Sequence, residues 1–174
     1  VMNSVVWSSQ TGPATTRTRN PLRWGWLALW LAAVAVVAAL GASFGPDGWY
    51  LQLRKPSFNP PAALFGPVWT ALYLLMAIAA WLVARESPAE PALRRRALLL
   101  MSAQLLLNAL WSPLFFGLHS PGWAFVDISA LWVTVAATLI AFASVRPLAA
   151  WLLVPYLLWV SFALVLNGSI WLMN

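Results

Sequence analysis

The chain has 174 residues, of which 62% are hydrophobic and only 8% charged, with one histidine and no cysteine. A soluble domain carries about 25% charged residues, so a water-facing surface cannot be covered and an integral membrane protein is indicated. Disulfide and thiolate chemistry are excluded, and His119 alone cannot build a histidine metal site. The net charge of +6 would suggest nucleic acid in a soluble protein. Here the basic residues flank apolar runs and no basic–aromatic module is visible, so they are read as a topology signal and no nucleic-acid partner is expected.

Residues 1–23 are polar, rich in Ser and Thr, and contain Arg17, Arg19 and Arg23. They read as a disordered cytoplasmic tail without the apolar core of a cleavable signal, so the first span is expected to be retained and to act as the insertion signal. Residues 24–174 form the transmembrane domain. Five apolar stretches reach the roughly 20 residues a bilayer requires: Trp24 to Phe44, Phe65 to Ala84, Arg96 to Gly117, Gly122 to Ser144, and Leu148 to Met173. The predicted fold class is an all-α, five-helix membrane bundle.

An odd number of spans puts the termini on opposite sides. Eight basic residues fall on the side of the N-terminal tail (Arg17, Arg19, Arg23, Arg85, Arg94, Arg95, Arg96 and Arg146) and two, Arg54 and Lys55, on the other. This asymmetry predicts a cytoplasmic N-terminus and, in a bacterial cell membrane, a periplasmic first loop. That loop, Gly45 to Leu64, is long for a compact bundle. Pro46, Pro56, Pro60 and Pro61 stiffen it, while Trp49, Tyr50 and Phe58 give it apolar weight. Either a lid over the bundle mouth or a purely structural cap fits this composition.

The spans carry polar and aromatic residues in helical register. Gln104, Asn108, Trp111 and Phe115 share one stripe of the third span. Two amides in an apolar span should face the interior, either bonding neighbouring helices or lining a cavity. The second span places Trp69, Tyr73 and Met76 on one face, and the fifth places Pro155, Trp159, Ala163 and Leu166 on another, with Asn167 close by. A large indole beside a small alanine leaves room for a flat guest, although large-against-small packing alone would also use it. Trp24, Trp26, Trp81, Trp123, Trp151 and Trp171 sit near span ends and fit an interfacial belt. Asp127, the only carboxylate within a span, reads either as a functional ionisable group or as a first-turn acid favoured by the helix dipole and wetted by the interface. No nucleophile–base pair, phosphate loop or paired carboxylates occur, so hydrolase chemistry is not expected.

These motifs together resemble the TspO/MBR family of tryptophan-rich sensory and translocator proteins, also called peripheral-type benzodiazepine receptors. The resemblance is carried by Trp49-Tyr50, Leu53-Arg54-Lys55-Pro56, Asn59-Pro60-Pro61, Gly66-Pro67-Val68-Trp69 and Leu72-Tyr73. It continues through Gln104, Asn108, Trp111, Pro113, Phe115-Phe116-Gly117, Gly122-Trp123-Ala124 and Asp127, to Pro155-Tyr156-Leu157, Trp159, Phe162-Ala163 and Leu166-Asn167. It implies a five-helix bundle, commonly a homodimer, with a ligand pocket under the first loop. The implied ligands are porphyrins such as protoporphyrin IX, sterols and benzodiazepine-site drugs. The family's pocket positions carry over to Tyr50, Trp69, Asn108, Trp111, Ala163 and Leu166. Trp69 and Trp159 match the two indoles associated with light- and oxygen-dependent porphyrin breakdown, so an enzymatic role is left open. No cofactor is required, porphyrin being a ligand.

The sequence departs from the family pattern at Phe58, where Trp is common, and in the C-terminal sterol motif, where Gly168 and Leu172 replace the Tyr and the basic residue. Three functions remain: a receptor or regulator that binds porphyrins, an exporter of tetrapyrroles, or a porphyrin-oxidising enzyme. Neither an internal repeat nor buried charge pairs support the exporter. Ala28, Ala32, Ala35 and Ala39 give the first span a small-residue face suited to helix contact.

Overall fold

A computed structural model describes residues 22–86 and 90–174. The tail expected over residues 1–23 lies almost wholly outside them, as do positions 87–89 of the second connection. The described chain runs α1 (Leu22–Ser43), α2 (Gly48–Gln52), a 3₁₀ turn (Ala62–Leu64), α3 (Phe65–Ala84), α4 (Pro91–Ser112), a π-helical turn (Pro113–Gly117), α5 (Pro121–Val145) and α6 (Pro147–Met173). Among the described residues there is no strand, and five helices are long and apolar enough to cross a bilayer. The protein is therefore an all-α integral membrane protein.

The five long helices close a ring. α1 packs on α3 and α4, α3 on α6, α6 on α5, and α5 on α4. Small residues allow the close approaches: Ala77, Ala79 and Ala80 of α3, Ala97 of α4 and Ala149 of α6 are fully buried. Met76, Met101, Phe142, Leu153 and Tyr156 fill the space between them. α1 contributes least, burying only Trp30, Val34 and Val37. Its alanine face is half-buried to exposed, with Ala28, Ala32, Ala35 and Ala39 open to the surroundings.

Prolines start three of the spans. Pro91, Pro121 and Pro147 occupy the first turns of α4, α5 and α6, where a missing N–H costs nothing and φ is already helical. α4 thus begins five residues before Arg96, the start that hydropathy predicts. Hydropathy marks the part that lipid tolerates, whereas the proline marks where the helix starts.

Proline also ends α4. Pro113 cannot continue the ordinary ladder, and the chain widens into a π turn in which the Leu118 N–H reaches the Pro113 carbonyl at 2.8 Å. His119 follows with φ of 50°, the only non-glycine left-handed residue among those described. This break reverses the chain into α5 and presents Phe115 and Phe116 to the first loop.

Candidate functional site

The first loop is docked on the bundle. Asp47 caps α2, its Oδ1 accepting the Tyr50 N–H at 3.1 Å. α2 then lays Trp49 edge-on against Phe115, and Tyr50 against both Phe115 and Phe116, with ring centroids 5.4–6.2 Å apart. Trp49 stacks on His119 at 4.4 Å, and the imidazole meets Asp47 at 3.0 Å. Further along, Phe58 contacts Phe162 of α6. The Asn174 side chain clamps the far end, accepting the Arg54 N–H and donating to the Arg54 carbonyl at 3.0 and 3.1 Å. The loop thus covers the end of the ring formed by α4 and α6.

Beneath it, α3 and α6 face each other through aromatic stripes. Phe65, Trp69 and Tyr73 are four residues apart on α3; Tyr156, Trp159 and Phe162 are three apart on α6. Phe65 meets Trp159 edge-on at 5.9 Å, and Trp69 meets Tyr156 at 6.3 Å. Trp69 also stacks on Tyr73 at 5.3 Å, and Trp159 tilts on Phe162 at 5.6 Å. The ladder is antiparallel, so Trp69 and Trp159 lie on its diagonal. Each such ring pair contributes about 0.5–1.5 kcal/mol beyond area burial.

A polar floor crosses the bundle at this depth. Tyr73 donates to Asn108 Oδ1 at 2.8 Å, and Asn108 Nδ2 donates to the Tyr156 hydroxyl at 3.0 Å, joining α3, α4 and α6. Asn108 is therefore an interhelical bridge, and what remains accessible of it is small. Trp111 stacks on Phe115 at 5.1 Å and donates its indole N–H to Asn167 Oδ1 at 2.9 Å. Asn167 Nδ2 in turn donates to the Pro121 carbonyl at 2.9 Å. Gln104, one turn deeper, is fully buried, its amide on the sulfurs of Met101 and Met76 and its Oε1 without a partner among the described residues.

The tryptophans expected in the belt are largely exposed. Trp24, Trp26, Trp123, Trp151 and Trp171 are exposed, and Trp81 is sandwiched between Trp24 and the Arg85 guanidinium. Trp69, Trp111 and Trp159 belong to neither belt nor sealed core, because all three are half-buried. Their N–H groups differ: Trp111 spends its donor on Asn167, whereas those of Trp69 and Trp159 meet no acceptor among the described residues. Tyr50 and Ala163 are also half-buried, and Leu166 closes a small cluster with Phe115, Ala124 and Ile170.

Residues 26–172 match the model of the TspO/MBR family. The chain belongs to that family. It is 40% identical over 147 residues to Protein CrtK of Rhodobacter capsulatus, covering 84% of this chain and 91% of that protein. It is 42% identical over 151 residues to Tryptophan-rich protein TspO of Chlorobaculum tepidum, covering 85% and 95%. It is 43% identical over 123 residues to human Translocator protein, covering 71% and 73%. All seven residues expected to line a TspO/MBR pocket (Tyr50, Trp69, Asn108, Trp111, Trp159, Ala163 and Leu166) lie inside the matched segment, on the loop and on α3, α4 and α6.

Three features of this TspO/MBR protein stand outside the sequence expectation. Asp127 is not a wetted first-turn acid: it is the seventh residue of α5, is buried, and has an Oδ2 without a partner among the described residues. Lys55 folds back on the loop: its ammonium lies 4.4 Å from the Tyr50 ring centroid and reaches the Leu51 and Leu53 carbonyls. Tyr156 was not singled out as a bridge, though a phenol in the middle of an apolar span needs a partner and so signals one. Beside the loop, a groove of about 810 Å³ opens between Trp49, His119, Trp123, Trp171 and Asn174. None of the seven expected residues lines it.

Proposed function

We propose that the protein is a membrane receptor or regulator that binds planar, largely apolar ligands of the porphyrin class beneath the first loop, against the α3–α6 aromatic ladder. One observation carries this reading: Trp69 and Trp159, on facing helices, keep half-open rings whose N–H groups are accessible and meet no acceptor among the described residues. A flat tetrapyrrole offers a face for each indole and carboxylate or carbonyl oxygens for the donors. Arg54 is exposed on the loop, where it can meet a propionate at the mouth, while Lys55 is already engaged. The names of the relatives, sensory and translocator, agree with a receptor or transport role. Trp111 and Asn108 serve the site by holding α4, α3 and α6 in register. The arginine-rich end faces the cytoplasm in this reading and the first loop the opposite side.

The test is quenching of tryptophan emission by protoporphyrin IX in purified protein. Trp69→Phe and Trp159→Phe each weaken binding by about tenfold, from a lost hydrogen bond and reduced stacking area. Trp123→Phe, an exposed belt residue, leaves it unchanged. Unaltered affinity in the Trp69→Ala/Trp159→Ala double variant removes the assignment.

A further inference from the structure

Trp30 is the one tryptophan classed as buried among the described residues, and its indole N–H has no partner. It lies on the wall of a groove of about 630 Å³ between α1 and α4. Leu29 and Ala33 of α1 and Leu98 of α4 make the apolar part of this groove, and Arg94 and Arg95 form its head. α1 is the least buried of the five spans, and Leu29, Leu99 and Arg95 on the wall of the groove are exposed, so the groove lies on the outer surface of the bundle.

Among the described residues, no carboxylate pairs with the arginines at the head. Glu86 gives its carboxylate to Arg146 at 2.7 Å and only its backbone carbonyl to Arg94 Nη1 at 3.0 Å. Arg95 is exposed and has neither hydrogen bond nor ion pair among the described residues. The other acid described at this end, Glu90, is exposed at the start of α4. A basic head above an apolar channel is complementary to a molecule with a phosphate at one end and alkyl chain at the other.

We propose that this groove holds one anionic phospholipid, its phosphate on Arg94 and Arg95 and an acyl chain along Leu29, Ala33 and Leu98. Trp30 lies six residues beyond Trp24, about 9 Å down the helix axis. It lines the groove together with Leu98, one turn beyond Arg94 on α4, a position that suits a glycerol ester carbonyl. The indole N–H, buried without a partner among the described residues, takes that carbonyl as its acceptor when the ring turns toward the groove. The lipid would fasten α1, the span with fewest buried side chains, to α4.

The experiment is native mass spectrometry of the full chain released from micelles doped with dioleoyl phosphatidylglycerol or dioleoyl phosphatidylcholine. Wild type retains one phosphatidylglycerol about tenfold more often than phosphatidylcholine, as two arginine–phosphate contacts near a membrane surface imply. Arg94→Gln/Arg95→Gln, which changes only one exposed and one half-buried side chain, brings phosphatidylglycerol down to the phosphatidylcholine level. Ala33→Phe fills the channel and lowers retention of both lipids with the charges intact. Equal retention of the two lipids by wild type overturns the proposal, as does indifference to the arginine change. Full displacement by inorganic phosphate overturns it too, by reducing the site to an anion contact. Because the chain has no native cysteine, Ala33→Cys adds another arm: disulfide dimers forming in equal yield with and without phosphatidylglycerol would show that a second copy covers the groove instead.

Discussion

The indole N–H of Trp111 donates to Asn167 Oδ1 at 2.9 Å, and that hydrogen bond ties the end of α4 to α6 directly beneath the first loop. Asn167 is 1% exposed and passes its own amide proton to the Pro121 carbonyl at the start of α5. One side chain thus satisfies groups from two other helices. Asn167→Leu strands a buried donor and a buried acceptor, at a cost of about 1–3 kcal/mol. Asn167→Asp keeps the acceptor and loses the donor, and falls between. Thermal unfolding in detergent ranks the three proteins, and the Trp111 indole N–H resonance moves in both variants. A Trp111 signal unchanged in Asn167→Leu would remove this bond from the account.

The Tyr73–Asn108–Tyr156 bridge makes a separate prediction. Tyr156→Phe leaves the Asn108 amide short of an acceptor, and Tyr73→Phe leaves its carbonyl short of a donor. Each costs about 0.5–1.5 kcal/mol, the usual net value of a hydrogen bond. Asn108→Leu removes the hub and leaves two phenols unpaired, so it destabilises more than either single change. The double variant Tyr73→Phe/Tyr156→Phe in an Asn108→Leu background recovers part of the loss, because no polar group then remains unpaired. Additive losses across this series would show that the three groups do not act as a unit.

Much of this was legible in the sequence. The spans followed from hydropathy and length alone, since backbone polar groups in lipid must be satisfied within a helix. The stripes Gln104–Asn108–Trp111–Phe115 and Trp69–Tyr73 followed from helical period. The partners did not, because period tells which face a residue is on but not which helix lies opposite. Asn108 therefore read equally as bridge or cavity wall, and only the packing of α3 and α6 onto α4 decided that both amide atoms are bonded. The π turn at Pro113 was also hidden. A proline near a span's end signals a stop, yet widening to i→i−5 bonding depends on how Phe115 and Phe116 seat under α2. Asp127 was misplaced because hydropathy starts the span at Gly122 and gives no account of the helices that cover its second turn.

The cap on α2 sets a pH dependence. The Tyr50 N–H, followed by the His119 partner, holds the Asp47 carboxyl below its ordinary value of about 3.9. A carboxylate lowered on folding contributes stability that is fully present above its unfolded value and is lost as pH falls through the lowered one. The carboxylate therefore contributes fully to the seating of α2 at neutral pH, where that seating does not vary with pH, and the contact loosens only in acid, below the usual carboxylate range. Asp47→Asn, which still accepts from the Tyr50 N–H, abolishes the acid transition while keeping α2 capped. Asp47→Ala frays α2 at every pH. The Tyr50 amide shift followed across an acid titration distinguishes the three; a midpoint above the ordinary carboxylate value in the wild type would contradict the sign.

Gly168 stands where the sterol motif implied by the family resemblance would have Tyr, and the packing around it leaves little room for a side chain. A Cβ at this position would stand 2.9 Å from the Phe125 ring edge, closer than real contacts allow, so α6 meets α5 here only because the residue has no side chain. Gly168→Ala forces Phe125 to turn and costs about 1–3 kcal/mol, the usual range for overpacking. Gly168→Tyr is worse, since the ring must displace Phe125, which itself tilts against Trp171 at 5.5 Å. The double variant Gly168→Tyr/Leu172→Arg, which supplies both missing residues, should lose thermal stability without gaining sterol binding. Adding Phe125→Ala makes room for the new ring and recovers part of the stability. Scanning calorimetry on the three variants and a sterol-binding titration check the point: tight sterol binding by the double variant with an undiminished Tm would mean that the α5–α6 contact yields more easily than its geometry implies.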